Sequence, residues 1–188
     1  MERIIKSMSK EYLAKSLDLI EAVFTDYENA TEAKVVRSLV EEIRSKKYYI
    51  PELELIMVNE LDEIIGYVMF SAFHIEGKYE DELLILTPAA VRMDVQRQHI
   101  SKELIEYGFK KARQMGYKAI LVEGNPRNYN PRGFKTAADY GILAGKSVHL
   151  PHIDCLMVKE LEPEALEKIK GHVEYDYYDS LVSGGEEK

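Results

Sequence analysis

The sequence predicts an α/β fold in which helices cover both faces of a mixed, twisted β-sheet. Three observations support this fold class. The apolar run Leu83–Val91 is followed by a short polar turn and a long amphipathic pattern that begins near Gln98. Two more apolar runs, Leu53–Val58 and Ile64–Phe73, are joined by a polar loop and predict an antiparallel pair of strands. Two amphipathic helical patterns precede these strands.

Length and composition restrict the class of protein. A chain of 188 residues with 46% hydrophobic and 31% charged residues is typical of one globular domain with its own core. We expect no transmembrane segment, because every apolar run is shorter than the ~20 residues that span a bilayer. We also expect no signal peptide, because the N-terminal stretch MERIIKSMSKEY lacks an apolar h-region and a small-residue cleavage site. Cys155 is the single cysteine, which favours a reducing, cytoplasmic location. The net charge of −8 argues against binding to nucleic acid or to an anionic membrane and favours a cationic partner such as an amine.

The N-terminal region is predicted to form one strand and two helices. Glu2–Ile5 is a candidate for the first strand. Ser9 is placed to cap a helix whose apolar residues recur at helical spacing. Thr31 is placed to cap a second helix, which must end before Pro51.

The long amphipathic pattern that begins near Gln98 predicts a helix, which we call the central helix. Its apolar face is formed by Ile100, Leu104, Ala112 and Met115, with Ile105 and Phe109 beside it. Gly116 stands at the place where helices commonly end. Ala119–Glu123 then predicts a buried strand, and Asn125–Pro131 predicts a turn with a single helical turn, since it is rich in proline and asparagine.

The C-terminal region is predicted from shorter patterns. Cys155–Val158 indicates a strand, Leu161–Ile169 a short helix, and the alternation over residues 173–177 a last edge strand. We expect one domain over residues 1–182 and a disordered acidic tail over residues 183–188.

Two segments resemble a known family. The hexapeptide QRQHIS, residues 96–101, resembles the Q/R-x-x-G-x-G/A signature of the GNAT superfamily of acyl-CoA-dependent N-acetyltransferases, and residues 125–134 resemble that family's Asn…Tyr-x-x-x-Gly-Phe segment. The run Leu86–Tyr140 is most similar to the bacterial YhbS-like branch, and the spacing of the flanking elements extends the resemblance to Glu2–Tyr175. The resemblance implies the GNAT acyltransferase fold.

The resemblance also implies acetyl-CoA as cosubstrate and no metal. Backbone amides from Gln98 to Ser101 would hold the pyrophosphate at the positive end of the central helix. The strand edge from Val91 to Met93 would pair with the pantetheine arm, and Arg97 would add a charge-assisted phosphate contact. The expected cofactor-binding residues are Val91, Met93, Arg97, Gln98, His99, Ile100, Ser101 and Asn125.

Two of these residues depart from the family pattern. His99 and Ser101 stand where the family has two glycines, and glycine is used where backbone and ligand approach closely. Asn125 has two interpretations, since it could orient the cofactor or cap the turn that follows it.

Acyl transfer from a thioester to an amine requires aligned reactants, an amine without its extra proton and an acid for the departing thiolate. The resemblance assigns the acid to Tyr129, four residues before Gly133. A phenol with a pKa near ~10 and a thiol near ~8.5 are close enough for proton transfer. Glu82 precedes the central strand and Glu123 ends the next strand. Either could be the general base, and each could be an ordinary carboxylate at a strand end.

The histidines at 149 and 152 and the single cysteine are given no catalytic or metal-binding role. His149 and His152 have a spacing that suggests a metal site, but only Asp154 stands near them, so a loop is favoured. Cys155 is expected to be a small buried hydrophobic residue in a strand and not a nucleophile.

The predicted function is acetyl-CoA-dependent N-acetylation of a primary amine, on a small molecule or a peptide or protein, by direct attack and without a covalent enzyme intermediate. The alternative is a non-catalytic acyl-CoA-binding or sensing module with a degenerate pyrophosphate loop, which His99 favours and Tyr129 opposes. A third alternative is an interaction protein that binds no CoA. No short motif specifies the acceptor, and a homodimer is one assembly that the sequence leaves open.

Overall fold

The computed structural model describes residues 2–183 of the chain. Its helices are α1 (Leu13–Tyr27), α2 (Ala30–Ser45), α3 (Ile100–Gln114), α4 (Pro126–Tyr129) and α5 (Asp179–Ser183). Its strands are β1 (Ile4–Ser7), β2 (Glu54–Val58), β3 (Ile64–Ala72), β4 (Leu83–Val91), β5 (Ala119–Glu123), β6 (Lys135–Thr136), β7 (Ile142–Ala144), β8 (Leu156–Glu160) and β9 (Gly171–Val173). Short 3-10 turns join several of these elements.

Seven strands form the main sheet, in the order β1-β2-β3-β4-β5-β8-β6. Neighbouring strands are antiparallel except for β4 and β5. These two are parallel because α3 carries the chain from the end of β4 back to the start of β5. Strands β7 and β9 form a separate two-stranded parallel sheet. The predicted α/β class with a mixed sheet is confirmed.

The parallel strands β4 and β5 are paired only over the first three residues of each strand. Residues 83–85 of β4 lie opposite residues 119–121 of β5. Beyond that point β4 remains paired with β3 as far as Val91, while β5 remains paired with β8 as far as Glu123. The two strands therefore diverge toward their carboxyl ends and leave a gap there, which is where ligands commonly bind in open α/β sheets.

A bulge in β4 lies within the diverging half. Val68 of β3 pairs with Ala89, and Phe70 pairs with Leu86, so two steps along β3 match three along β4. The additional residue falls within Thr87–Pro88. A bulge bends its strand and interrupts the hydrogen-bond ladder, which helps β4 to separate from β5.

The sheet separates two apolar cores. Helices α1 and α2 pack on one face, which we call the helix-pair face, and its core includes Ile85 and Leu121. Helix α3 packs on the opposite face, the α3 face, whose core includes Leu86 and Val122. Because side chains of a strand alternate between faces, each of these strands serves both cores. Helices on both faces were predicted and are confirmed.

The first elements differ from the prediction in detail. Strand β1 is shifted by two residues toward Ser7. Thr31 does not cap α2, because the cap is Asn29, whose side-chain oxygen accepts hydrogen bonds of 2.9 Å from the N–H groups of Thr31 and Glu32. Ser9 stands at the start of the 3-10 turn that leads into α1, but its side chain forms no capping hydrogen bond.

The C-terminal region differs more. Leu161–Ile169 contains only a 3-10 turn, Ala165–Glu167, instead of a helix. Cys155 precedes β8 and is partly exposed, whereas a buried position within the strand was expected. Strands β6 and β7 and helix α5 were not predicted. Within residues 2–183, no helix has both the length and the apolar character needed to cross a bilayer.

The predicted edge strand over residues 173–177 ends at Val173. Tyr175 and Tyr177 leave the strand and pack against Phe73, with ring centroids 6.5 and 5.7 Å from that of Phe73. Of the predicted tail, Ser183 is the last residue of α5, and residues 184–188 lie outside the described part of the chain.

Candidate functional site

The loop between β4 and α3 has a left-handed backbone at two residues. Arg97 has a φ of 63° and His99 a φ of 64°. A side chain in this conformation costs roughly 1–2 kcal/mol, although histidine is among the residues that adopt it more often than most. His99 directly precedes α3 and is exposed. A glycine is therefore expected here for its backbone freedom as well as for close approach to a ligand, and His99 keeps the same backbone conformation.

The N-terminus of α3 is free of capping side chains among the described residues. Its first N–H groups have no acceptor within the helix, and the helix dipole makes this end positive. Ile100 and Ser101 stand in this first turn. The Ile100 side chain is buried, which fixes the turn against the sheet, while Ser101 is half-buried. The arrangement suits an anion such as a phosphate.

Gly66 of β3 allows α3 to approach the sheet beside the end of β4. It lies opposite Val91 in the ladder. A Cβ atom at Gly66 would lie 2.4 Å from Cγ2 of Ile100 and 2.8 Å from Cδ1 of Leu104, which is shorter than real contacts allow. The absence of a side chain at Gly66 thus sets the distance between the first turn of α3 and β3. The sequence alone gave no signal for this role.

Arg132 is a second residue that the sequence interpretation missed. It follows α4 and reaches the first turn of α3, where its Nη2 donates to the Ser101 hydroxyl at 3.1 Å. Its Nη1 donates to the carbonyl of Asn128. Its Nε is buried and has no hydrogen-bond partner among the described residues. The guanidinium therefore adds a positive charge at the same end of α3.

Tyr129, the predicted acid, lies at the end of α4 and beside the end of β5. Its ring lies directly over Gly124, where a Cβ atom would be 2.6 Å from Cε2 of the ring. Phe134 packs against the ring edge-to-face, with centroids 5.7 Å apart. Burial raises the pKa of the Tyr129 phenol, and the charge of Arg132 opposes this shift. Tyr129 therefore holds its proton at neutral pH.

Glu123 ends β5 and has its side chain on the helix-pair face. Leu121, two residues earlier, and Leu156, directly opposite on β8, both belong to the core of that face. Although the residue as a whole is exposed, the protein around its carboxyl raises its pKa, and the hydroxyl of Tyr175 opposes the shift. The Tyr175 hydroxyl is buried and acts on the Glu123 carboxylate, but it forms no hydrogen bond of standard geometry with any described residue.

Glu82, the other candidate base, is not brought to this site. It precedes β4 at the end where β4 and β5 are paired, and the nine residues of β4 separate it from the divergent end. At about 3.3 Å per residue this separation is roughly 30 Å. The Glu82 carboxylate forms an ion pair of 2.8 Å with Lys118, and its carbonyl accepts the Lys118 N–H. Through these contacts with Lys118, Glu82 connects the start of β4 to the start of β5.

Tyr129 and Glu123 therefore flank the gap from opposite faces of the sheet. Tyr129 packs with the core of the α3 face, and Glu123 stands on the helix-pair face. A reactive group held between β4 and β5 would have a proton donor on one side and a proton acceptor on the other.

The remaining predicted cofactor residues lie around the same end of β4. Val91 is the last residue of β4. Met93 opens the following 3-10 turn and is 44% exposed. Gln98 is exposed, and its carbonyl accepts a hydrogen bond of 3.0 Å from Arg3. Arg3 thereby ties the loop to the start of β1.

Asn125 has a structural role in this geometry. It is the N-cap of α4, and its Oδ1 accepts a hydrogen bond of 3.0 Å from the N–H of Arg127. The described contacts of Asn125 thus show the cap of the turn, which was one of its two interpretations.

The histidines of the 149–152 segment lie in a loop. The Nδ1 of His152 accepts a hydrogen bond of 3.3 Å from the N–H of Asp154, whose carboxylate also accepts one from Thr136. Among residues 2–183, no group of three or more His, Cys, Asp or Glu side chains is placed to hold a metal ion.

Comparison with known proteins agrees with this geometry. The sequence model of the Acetyltransferase (GNAT) family matches residues 18–134. The uncharacterized N-acetyltransferase YhbS of Escherichia coli K12 is 27% identical over 150 residues, which cover 79% of this chain and 83% of YhbS.

Solved structures share the fold. The crystal structure of E. coli YhbS in complex with CoA superimposes with a TM-score of 0.78 at 24% identity, covering 93% of this chain and 90% of YhbS. A GNAT family acetyltransferase from Brucella melitensis, in complex with acetyl-CoA, has a TM-score of 0.68 at 22% identity and covers 93% and 96% of the two chains. The predicted similarity to the YhbS-like branch is confirmed. Since the family model spans more than half of its 188 residues, this chain belongs to the GNAT family of acetyltransferases.

Proposed function

We propose that the chain is an acetyl-CoA-dependent N-acetyltransferase that acetylates a primary amine by direct attack, without a covalent enzyme intermediate. The observation that carries the proposal is the gap between β4 and β5, flanked by Tyr129 and Glu123 on opposite faces. Family membership supports acetyl transfer as the reaction class. The YhbS and Brucella structures, which hold CoA and acetyl-CoA, support the cosubstrate.

Acetyl-CoA would lie along the gap with its pyrophosphate at the start of α3. The amides of residues 98–101 would donate hydrogen bonds to the phosphates at the positive helix end. Arg132 would add a charge-assisted contact to a bound phosphate, because its Nη2 already reaches the Ser101 hydroxyl in the first turn of α3. Arg97 is exposed in the same loop and would add a second cation. The half of β4 that ends at Val91 has no partner strand on the β5 side, so its edge is open to the pantetheine amides.

Glu123 would accept a proton from the attacking amine, directly or through a water molecule. A carboxylate whose pKa is raised toward neutrality is a better base than an ordinary surface carboxylate. Attack by the neutral nitrogen forms the new N–C bond, and collapse of the tetrahedral intermediate breaks the C–S bond. Tyr129 would then donate its phenolic proton to the thiolate on the other face.

The sensing-module alternative depended on His99. Because His99 is exposed and holds the left-handed conformation that a glycine would hold, the loop keeps the backbone shape needed for phosphate binding. Only the side chain differs. The geometry therefore favours the enzyme over a module with a degenerate loop.

Two measurements on the same preparation test the proposal. Isothermal titration with CoA measures binding, and release of free CoA thiol from acetyl-CoA in the presence of a panel of primary amines measures turnover. We expect binding, and amine-dependent thiol release above the rate of spontaneous hydrolysis. Binding without turnover would identify a sensing module, and the absence of both would identify an interaction protein.

A further inference from the structure

An apolar cavity of about 200 Å³ lies beside the candidate site, on the helix-pair face. It is bounded by β7, the loop before β8 and the first residue of β8. Its walls are entirely aliphatic, formed by Ile142, Leu143, Ala144, Leu150, Ile153 and Leu156 together with Ala138. A water molecule there would find no polar side chain among these residues, so the cavity suits an apolar ligand.

Leu156 links the cavity to Glu123. Leu156, which forms part of its wall, lies directly opposite Glu123 in the antiparallel ladder of β5 and β8. Residues that face each other in this way carry their side chains on the same face, with Cβ atoms about 4.5–5.5 Å apart. The carboxylate and the aliphatic cavity therefore lie on the same face of the sheet, with Leu156 between them.

The mouth of the cavity exposes large apolar side chains. Leu143 is 41% and Ile153 56% exposed, although both belong to the same wall as the buried Leu156. Single exposed apolar residues are common on protein surfaces. Here they continue the lining of a cavity outward, which is the arrangement expected when an apolar group enters from solvent.

We propose that the acceptor is a small primary amine with a compact apolar group, bound so that its nitrogen lies at Glu123 and its apolar group fills this cavity. This inference rests on the proposed N-acetyltransferase function and names its acceptor class. The carboxylate attracts the ammonium form before it loses its proton, and the aliphatic walls favour the hydrocarbon. Cavities of about 150 Å³ hold a benzene ring, so the group is the size of a phenyl ring or a branched chain of five or so carbons.

The same geometry discriminates against acceptors with a second charge. The far ammonium group of a diamine such as 1,4-diaminobutane would have to enter the aliphatic cavity without a partner, and desolvation makes this unfavourable. Isoamylamine, of similar length, meets no such penalty. Hydrocarbon burial is worth about a fourfold gain in kcat/KM for each methylene group.

The test compares isoamylamine, phenethylamine, ethylamine and 1,4-diaminobutane as acceptors at saturating acetyl-CoA. We expect kcat/KM for the first two to exceed that for the diamine at least tenfold. The variant Ala144→Phe places a bulky side chain in the cavity wall, and it should lower kcat/KM for isoamylamine and phenethylamine until the preference over the diamine is lost. Leu61→Phe, at a residue 78% exposed in the turn between β2 and β3, is the matched control and should behave as the unaltered protein.

Two results separate failure of this inference from failure of the proposed function. Equal kcat/KM values for isoamylamine and the diamine, or a preference that survives Ala144→Phe, would overturn the acceptor class and leave N-acetylation standing. If no amine is acetylated, isoamylamine and the diamine are each titrated into the complex of the protein with CoA, which shows whether the cavity binds the apolar amine. Selective binding of isoamylamine that Ala144→Phe abolishes supports the cavity as its site, and absence of such binding overturns it.

Discussion

At the scale of single residues, Tyr129 and Glu123 are assigned to two different protons. Tyr129 holds its proton at neutral pH, as a donor to a leaving thiolate must, since burial raises its pKa and the charge of Arg132 opposes the rise. Glu123 has its pKa raised by burial as well, which brings a carboxylate closer to the pH at which it serves as a base. Burial thus makes the Glu123 carboxylate a stronger base, while the charge of Arg132 limits the rise in the pKa of the Tyr129 phenol.

Replacing Tyr129 by Phe removes the proposed acid and keeps the ring that packs on Gly124 and Phe134. We expect kcat to fall by ~10²-fold or more, with the CoA dissociation constant nearly unchanged. Steady-state thiol release and calorimetric titration measure the two quantities. Tyr107→Phe, at an exposed position on α3, is the control and should retain kcat. An unaltered kcat in Tyr129→Phe, with chemistry rate-limiting, would remove Tyr129 from the mechanism.

Replacing Glu123 by Gln tests the base through pH. The unprotonated carboxylate is the active form, so kcat/KM should rise as pH increases through the raised pKa of Glu123. In Glu123→Gln this rising limb should disappear and the plateau should fall by ~10²-fold. Glu82→Gln is the matched control, because Glu82 pairs with Lys118 at the other end of β4. A wild-type profile in Glu123→Gln would mean that water or another group takes the proton.

The variant His99→Gly tests whether the loop between β4 and α3 binds the pyrophosphate of CoA through its backbone. Replacement by Gly relieves the left-handed strain and leaves the amides of the first turn of α3 in place. The CoA dissociation constant should therefore change by less than about tenfold, or ~1.4 kcal/mol. Calorimetric titration checks this value. Tightening by more than a hundredfold would show that the natural protein has a blocked cofactor site and would favour the sensing module.

At the scale of elements, the central strands and helix were predictable from sequence, and the C-terminal segment was not. The bounds of β4 and β5 follow from near-continuous apolar runs, because both strands are largely buried on two faces. Alternation of aromatic residues also predicted a strand through Tyr177. Tertiary contacts with Phe73 override that local pattern, and such contacts join residues about a hundred positions apart in the chain.

The seating of α3 on β3 depends on Gly66. A methyl group there would overlap Ile100 and Leu104, so we expect Gly66→Ala to shift the start of α3, lower the free energy of unfolding by roughly 1–3 kcal/mol and weaken CoA binding. Denaturant unfolding and calorimetric titration measure the two effects. Adding Ile100→Ala removes the Cγ2 atom that the new methyl would overlap. The double variant should lose less stability than the sum of its single variants, and strict additivity would refute the steric explanation.

At the scale of the whole molecule, the position of the site follows from strand topology. Glu82 and Glu123 each flank a buried strand, and no sequence pattern distinguishes one from the other as the base. Only the parallel pairing of β4 with β5, limited to the first half of each strand, places Glu82 at the closed end and Glu123 at the open one. Arg132 was missed for the same reason, since its contact with Ser101 joins segments that the sequence holds far apart.

A crystal structure of the protein with acetyl-CoA would show whether the gap between β4 and β5 holds the thioester. We expect the pyrophosphate on the amides of residues 98–101, within reach of Arg132. We expect the thioester in the gap between β4 and β5, its sulfur near the Tyr129 hydroxyl and its carbonyl carbon open toward Glu123. Acetyl-CoA bound elsewhere, or bound with its thioester remote from both side chains, would contradict the proposed mechanism.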